Sequence, residues 1–313
     1  CILVIIKLIK NKMSHKDKSE LEQIIENQID KTINVKFNNS TIHPLRVIQA
    51  SKALIGLNLD NPNQKLIDFN NFYLQSLSSD YYKTLKDANT EVKPIVSLQD
   101  LENELVNKNK EAAISIFNQI KLVSSEVHIL EFLIEISLKQ TGKSFLNIWS
   151  IYKSVMFLKD KSINKFISIS VDAILEDDFR VIKNNFDNIN IENLIDIDFT
   201  IDSIDLYAHL YEVYKVDLIR SENIRKLIRI FVSENFQNTA KSSLIDKGLP
   251  KYSQLLTKGR SFLLNIIDKK ECKLTPDLIL FLDSIRTLFR FVHKKNHEII
   301  VYQLESKLEN FNV

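Results

Sequence analysis

Apolar residues recur at steps of three and four along most of the chain, the spacing that gathers side chains on one face of a helix. With helix-start signals added, the pattern predicts helices over 19–32, 44–57, 62–76, 98–106, 109–122, 125–140, 144–159 and 162–175. The second half adds 201–219, 221–237, 250–267, 276–295 and 297–310. Thr275-Pro276-Asp277 is the clearest start, Ser97 with Asp100 reads as a capping box, and His43-Pro44 and Asn61-Pro62 put proline in a first turn. Stretch 125–140 is apolar almost all round (Val127, Ile129, Leu130, Phe132, Leu133, Ile134, Ile136, Leu138), which predicts a central helix, with Gly142 as its left-handed stop. The next helix aligns Phe145, Ile148, Trp149, Tyr152 and Met156 in one stripe. Extended chain fits the pattern only in two short runs, INVKF from 33 and VKPIV from 92.

Composition sharpens this into an all-α fold, a multi-helix array or bundle of about 13 or more helices. Four glycines and five prolines in 313 residues fall far below the usual ~7% and ~5%, too few for hairpin-rich sheets or glycine-lined loops. The echo between QKLIDF at 64, following His43, and RKLIRI at 225, following His209, suggests a solenoid-like form with two related halves. The spacings differ, 21 residues against 16, and no known repeat consensus accompanies them. Residues 1–13 read as an extension outside the core, 14–175 as an N-terminal helical half, and 176–313 as a C-terminal half that shares one domain with it or stands apart. The opening CILVIIKLIK is interrupted by Lys7 and Lys10 and is about half of the ~20 apolar residues that a membrane span needs. Cys1 and Cys272 form no disulfide framework, which fits a reducing, cytoplasmic location.

Several familiar chemistries fail on spacing. QTGKSFL at 140–146 ends like a phosphate-binding loop, but Ser137 stands where the leading glycine belongs and a helix precedes it instead of a strand. No histidine has a glutamate three residues before it, so the di-iron pattern of helical bundles is missing. His297-Glu298 starts like a zinc-protease motif, but Val301 replaces the second histidine. Cys272 has lysines nearby, yet nothing else marks it as a nucleophile.

Two constellations survive. Asp202, Asp205, His209 and Glu212 fall in one narrow arc of a helix, a grouping of oxygen and nitrogen donors that suits a hard divalent metal or acid–base work. On another helix Asp283, Arg286, Arg290, His293 and His297 border an apolar stripe. The charge distribution adds weight to the second. Residues 176–214 hold ten acids against two bases, whereas 215–296 hold 17 Lys or Arg against eight acids and six of the eight arginines. Arginine is the side chain for forked hydrogen bonding to carboxylate or phosphate.

Two functional readings follow. In the first, the chain is a non-catalytic interaction or scaffold protein that holds an anionic partner, an acidic protein surface or a phosphate-bearing ligand, on Arg225, Arg229, Arg286, Arg290, His293 and His297. A nucleic-acid partner would rest on charge alone, because no recognition motif accompanies the basic block. In the second, the chain is an enzyme or binds a cofactor or metal, with His43, His128 and His209 lining an interhelical pocket and Asp202, Asp205 and Glu212 joining His209 as ligands. Neither reading identifies a particular cofactor.

Overall fold

Polar residues that flank the apolar runs set where the helices start. Ser97 and Asp100 close a reciprocal capping box, Thr200 and Ser203 close another, and Thr275 accepts from the Leu278 N–H with Pro276 in the first turn. His43 caps its helix unconventionally, its ring accepting from the Leu45 N–H. These data come from a computed structural model that describes residues 15–37, 42–77, 96–158, 163–181, 190–236 and 251–311.

The described residues form fourteen α-helices and no strand. They are α1 His15–Ile33, α2 Pro44–Ile55, α3 Gln64–Ser76, α4 Leu98–Val106, α5 Lys110–Ile120, α6 Glu126–Ser137 and α7 Lys143–Leu158. The chain continues through α8 Ile167–Leu175, α9 Ile201–Lys215, α10 Ser221–Phe236, α11 Gln254–Lys258, α12 Phe262–Ile267, α13 Pro276–Phe291 and α14 His297–Leu308. The all-helical array is therefore as the periodicity predicts. An isolated antiparallel bridge pairs Gln140 with Phe179. Residues 92–95 of the VKPIV run, and residues 1–14, lie outside the described residues. None of the described helices is long and apolar enough to cross a membrane.

Local departures from the sequence reading have local causes. The span 250–267 is two short helices, because Gly259 takes φ +68° and ψ −165°, a conformation open essentially to glycine alone. Pro62 precedes α3, whose cap is Asn63. Gly142 has φ +111°, but it forms the entry to α7; α6 has already ended at Ser137. Helix α9 stops at Lys215 because Val216 turns extended, and the freed carbonyls of Tyr214 and Val216 accept from Arg225 at 3.0 and 3.5 Å.

One apolar core crosses the expected boundary at 175 without a break. Helix α13 packs along both α9 and α2, and α2 packs on α7, so helices from opposite ends of the chain share a wall. Leu278, Ile279, Phe281, Leu282 and Ile285 of α13 are fully buried there with Ile204 and Ala208 of α9 and Val47 and Ile48 of α2. Each of these side chains except Ala208 contributes about 1.5–3 kcal/mol of apolar transfer. The sequence assigned α13 a buried side and a cationic border; in the structure burial takes in the first two residues of that border, Asp283 at 1% and Arg286 at 6% exposure, while Arg290 and His293 are exposed. A charge placed that deep needs partners: Asp283 and Arg286 pair with each other along α13, and His209 of α9 lies 3.8 Å from Asp283.

Candidate functional site

Helix α9 sends Asp205, His209 and Glu212 inward along one face. His209 sits between the two carboxylates, with Nε2 3.3 Å from Asp205 Oδ1 and Nδ1 3.1 Å from Glu212 Oε2. Asp283 Oδ2 approaches the same Nε2 at 3.8 Å. Arg46 of α2 binds the other oxygen of Asp205, and the Ser284 hydroxyl donates to Asp205 Oδ1 at 2.9 Å. Glu212 accepts from Trp149 Nε1 at 2.7 Å and lies 3.6 Å from Lys153 Nζ. Arg286 donates from Nε to Asp283 at 2.6 Å and from a terminal nitrogen to Thr287 at 3.0 Å.

These partners decide the protonation states. Burial opposes ionisation of Asp205, but Arg46, His209 and Ser284 outweigh it and hold the carboxyl at about 2. Burial opposes ionisation of Glu212 as well; Lys153, His209 and Trp149 together hold it well below the usual carboxylate range. Burial and Lys153 disfavour a charged His209, yet its bonds to the two carboxylates raise it above its ordinary value. The same logic raises Arg286, where Asp283 and Glu212 outweigh burial.

Beside this network opens a recess of about 480 Å³ lined by Gln49, Lys52, Ala53, Gly56, Leu57, Lys153, Glu212, Arg260, Arg286 and Arg290. Five of those side chains are basic and one is acidic. They come from α2, α7, α9, α13 and the Gly259–Ser261 turn between α11 and α12. Among the described residues Lys52, Arg260 and Arg290 have no carboxylate at salt-bridge distance. Lys52 lies over the Phe157 ring, 4.4 Å from its centroid. Burial, aided by Lys153 and Arg286, pulls Lys52 down to about 8. Burial and the neighbouring Arg286 and Arg290 likewise lower Arg260.

No family model, curated protein or solved structure matches this chain. The site is therefore read from its own geometry.

The sequence-predicted residues are dispersed. Arg286 and Arg290 line the recess. Arg225 closes the carboxyl end of α9, and Arg229 donates to the Tyr214 hydroxyl at 2.9 Å, so this pair is engaged outside the recess lining. His293 caps the turn after α13, and His297 contacts the Val292 carbonyl at 3.1 Å. His43 contacts the Val35 carbonyl at 3.1 Å and shares a second cavity, about 320 Å³, with Arg46, Asp202 and Asp205. His128 lies 3.0 Å from Arg220 and 3.1 Å from Ser124, while His209 is sealed in its own network. Asp202 is exposed, both oxygens of Asp205 are held by Arg46 and Ser284, and Oε2 of Glu212 is held by Trp149 and Lys153. Among the described residues no group of three or more His, Cys, Asp or Glu side chains is disposed to hold a metal ion.

The Gly142-Lys143-Ser144 fragment also has a local explanation. Asp177 accepts from the Ser144 N–H at 3.0 Å and from Thr141 at 2.5 Å, so a carboxylate of the chain itself caps α7 where a phosphate-binding loop would present its amides. Cys272 is buried, and burial raises its thiol. The residues that sequence reasoning missed are Lys52, Lys153 and Arg260. Lys52 and Lys153 sit on α2 and α7 at positions that read as ordinary surface lysines, and only the packing of α2 between α7 and α13 brings them to the arginines.

Proposed function

We propose that this chain is a non-catalytic helical binding protein that holds an anionic partner at the Arg-rich recess between α2, α7 and α13. The observation that carries the reading is the convergence of Lys52, Lys153, Arg260, Arg286 and Arg290 on one concavity, three of them without an acidic partner among the described residues. Like charges held together in a partly desolvated site repel one another, and an incoming anion relieves that repulsion. The titratable groups behind the recess support binding over catalysis. His209 has a carboxylate on each ring nitrogen, Asp205 at 3.3 Å and Glu212 at 3.1 Å, and it does not line the recess.

Chromatography on phosphocellulose tests the reading. The wild-type chain binds at low salt and elutes as salt rises, and Arg260→Gln/Arg290→Gln elutes at distinctly lower salt. Identical elution of the two proteins, or passage of the wild type without retention, would remove the support for it.

A further inference from the structure

The anion-holding reading leaves the class of ligand open, and the charges of the recess narrow it. Five cations line or border the space; Glu212 lies among them and Asp283 is bonded to Arg286, which leaves a surplus of three positive charges. The charge of Glu212 is offset by Lys153 and His209, which with Trp149 all meet its Oε2. A single phosphoryl group brings about −1.5 to −2 at neutral pH, too little to match that surplus, whereas two bring about −3 to −4.

The arrangement of the cations points the same way. Lys52 is depressed after burial by Lys153 and Arg286, and Arg260 after burial by Arg286 and Arg290. The five enter the recess from different sides: Lys52 from α2, Lys153 from α7, Arg286 and Arg290 from α13, and Arg260 from the Gly259–Ser261 turn. Arg286 is anchored by Asp283 and Thr287, so one guanidinium of the lining is fixed in orientation. The volume of about 480 Å³ lies within the range of small-molecule sites, roughly 300–1,000 Å³. Arg290 is exposed at the edge, but Arg286 is only 6% exposed, so a folded partner's flat acidic face would meet the first and miss the second.

We propose that the recess takes a compact polyphosphate, a small ligand with at least two phosphoryl groups shared among Lys52, Lys153, Arg260, Arg286 and Arg290. This proposal rests on the anion-holding reading and goes beyond it by choosing the polyphosphate over a single phosphate and over an acidic peptide.

The chain's single tryptophan, Trp149, reports on the site, because its indole N–H is bonded to Glu212 and its ring lies 5.9 Å from Lys153 Nζ. The test is a titration of the full chain with sodium pyrophosphate, sodium orthophosphate and a poly-glutamate peptide at matched ionic strength, followed by Trp149 fluorescence and calorimetry. Pyrophosphate is expected to bind at least tenfold more tightly than orthophosphate or the peptide. Arg260→Gln/Arg290→Gln should weaken it at least tenfold with the unfolding temperature unchanged, and Arg225→Gln/Arg229→Gln, which alters arginines outside the recess lining, should leave it as in the wild type. Equal affinity for orthophosphate and pyrophosphate overturns the polyphosphate and leaves the anion-holding reading standing. So does tighter binding of the peptide. Failure of all three probes overturns both.

Discussion

Asp205 and Glu212, two turns apart on α9, hold opposite nitrogens of the same imidazole, that of His209, at 3.3 and 3.1 Å. A histidine that donates from both nitrogens is a cation, and the two carboxylates favour that form of His209, which makes an acid–base–acid row along α9. Arg46 extends the row at one end and Lys153 at the other, which joins α2, α9 and α7 through charge as well as through apolar packing.

This row makes stability depend on pH at both extremes. Asp205 titrates at about 2 in the fold against 3.8 ordinarily, so its contribution is complete above pH ~4 and is lost as pH falls toward 2. The loss is on the order of 2 kcal/mol. His209 has the opposite sign: its raised value contributes below its ordinary 6.5 and is lost as pH climbs through the folded value. Urea unfolding across pH should show the acid limb flattened in Asp205→Asn and the alkaline loss reduced in His209→Gln. Profiles parallel to the wild type would contradict the row.

Phe281 lies fully buried in α13, the helix that packs on both α9 and α2. Truncation to alanine should cost about 3–5 kcal/mol, because the cavity cannot collapse against two helices held by the charged row. Denaturant unfolding measures this directly, and a loss below about 1 kcal/mol would mean that the α9–α13–α2 wall is not the core.

Gly259→Ala should cost about 1–3 kcal/mol from backbone conformation alone, since φ is +68° and nothing lies within 4 Å of an added Cβ. Because the next residue is Arg260, the same substitution should also lower the salt needed to elute the protein from phosphocellulose. Calorimetry and chromatography on one variant separate the two effects.

Arg220 forks onto Glu135 with two bonds of 2.7 Å, while its own N–H donates to Glu131 at 2.8 Å. This ties the start of α10 to α6. Arg220→Ala should destabilise by about 2–3 kcal/mol, and Arg220→Lys should recover less than half of that, because an ammonium cannot reproduce the planar fork. Full recovery by lysine would show that charge alone matters there.

Much of the fold was legible because helix formation here is governed locally. Apolar spacing with Ser97, Thr275 and Pro276 marked starts that the structure reproduces. The break at Gly259 was hidden inside a stretch whose apolar spacing continues on both sides, and a lone glycine is tolerated in helices often enough to be read through. The site was legible only in fragments. Asp205, His209 and Glu212 announced a shared face by spacing, but their partners Arg46, Lys153, Trp149 and Ser284 lie on three other helices. Arg225 and Arg229 looked equivalent to Arg286 and Arg290 by residue type, yet an extended Val216 left carbonyls for Arg225 to satisfy and Tyr214 gave Arg229 its hydroxyl. Such long-range pairings have no signature in local sequence.

The central claim is that the cations gathered around Lys52 form a seat for an anion. Site-resolved NMR titration of the Lys52 amine, with and without saturating inorganic phosphate, tests it most directly. Lys52 should titrate at about 8 in the free protein and move upward when phosphate is bound, because a bound anion favours the charged amine. A midpoint that stays the same in both solutions would contradict the account.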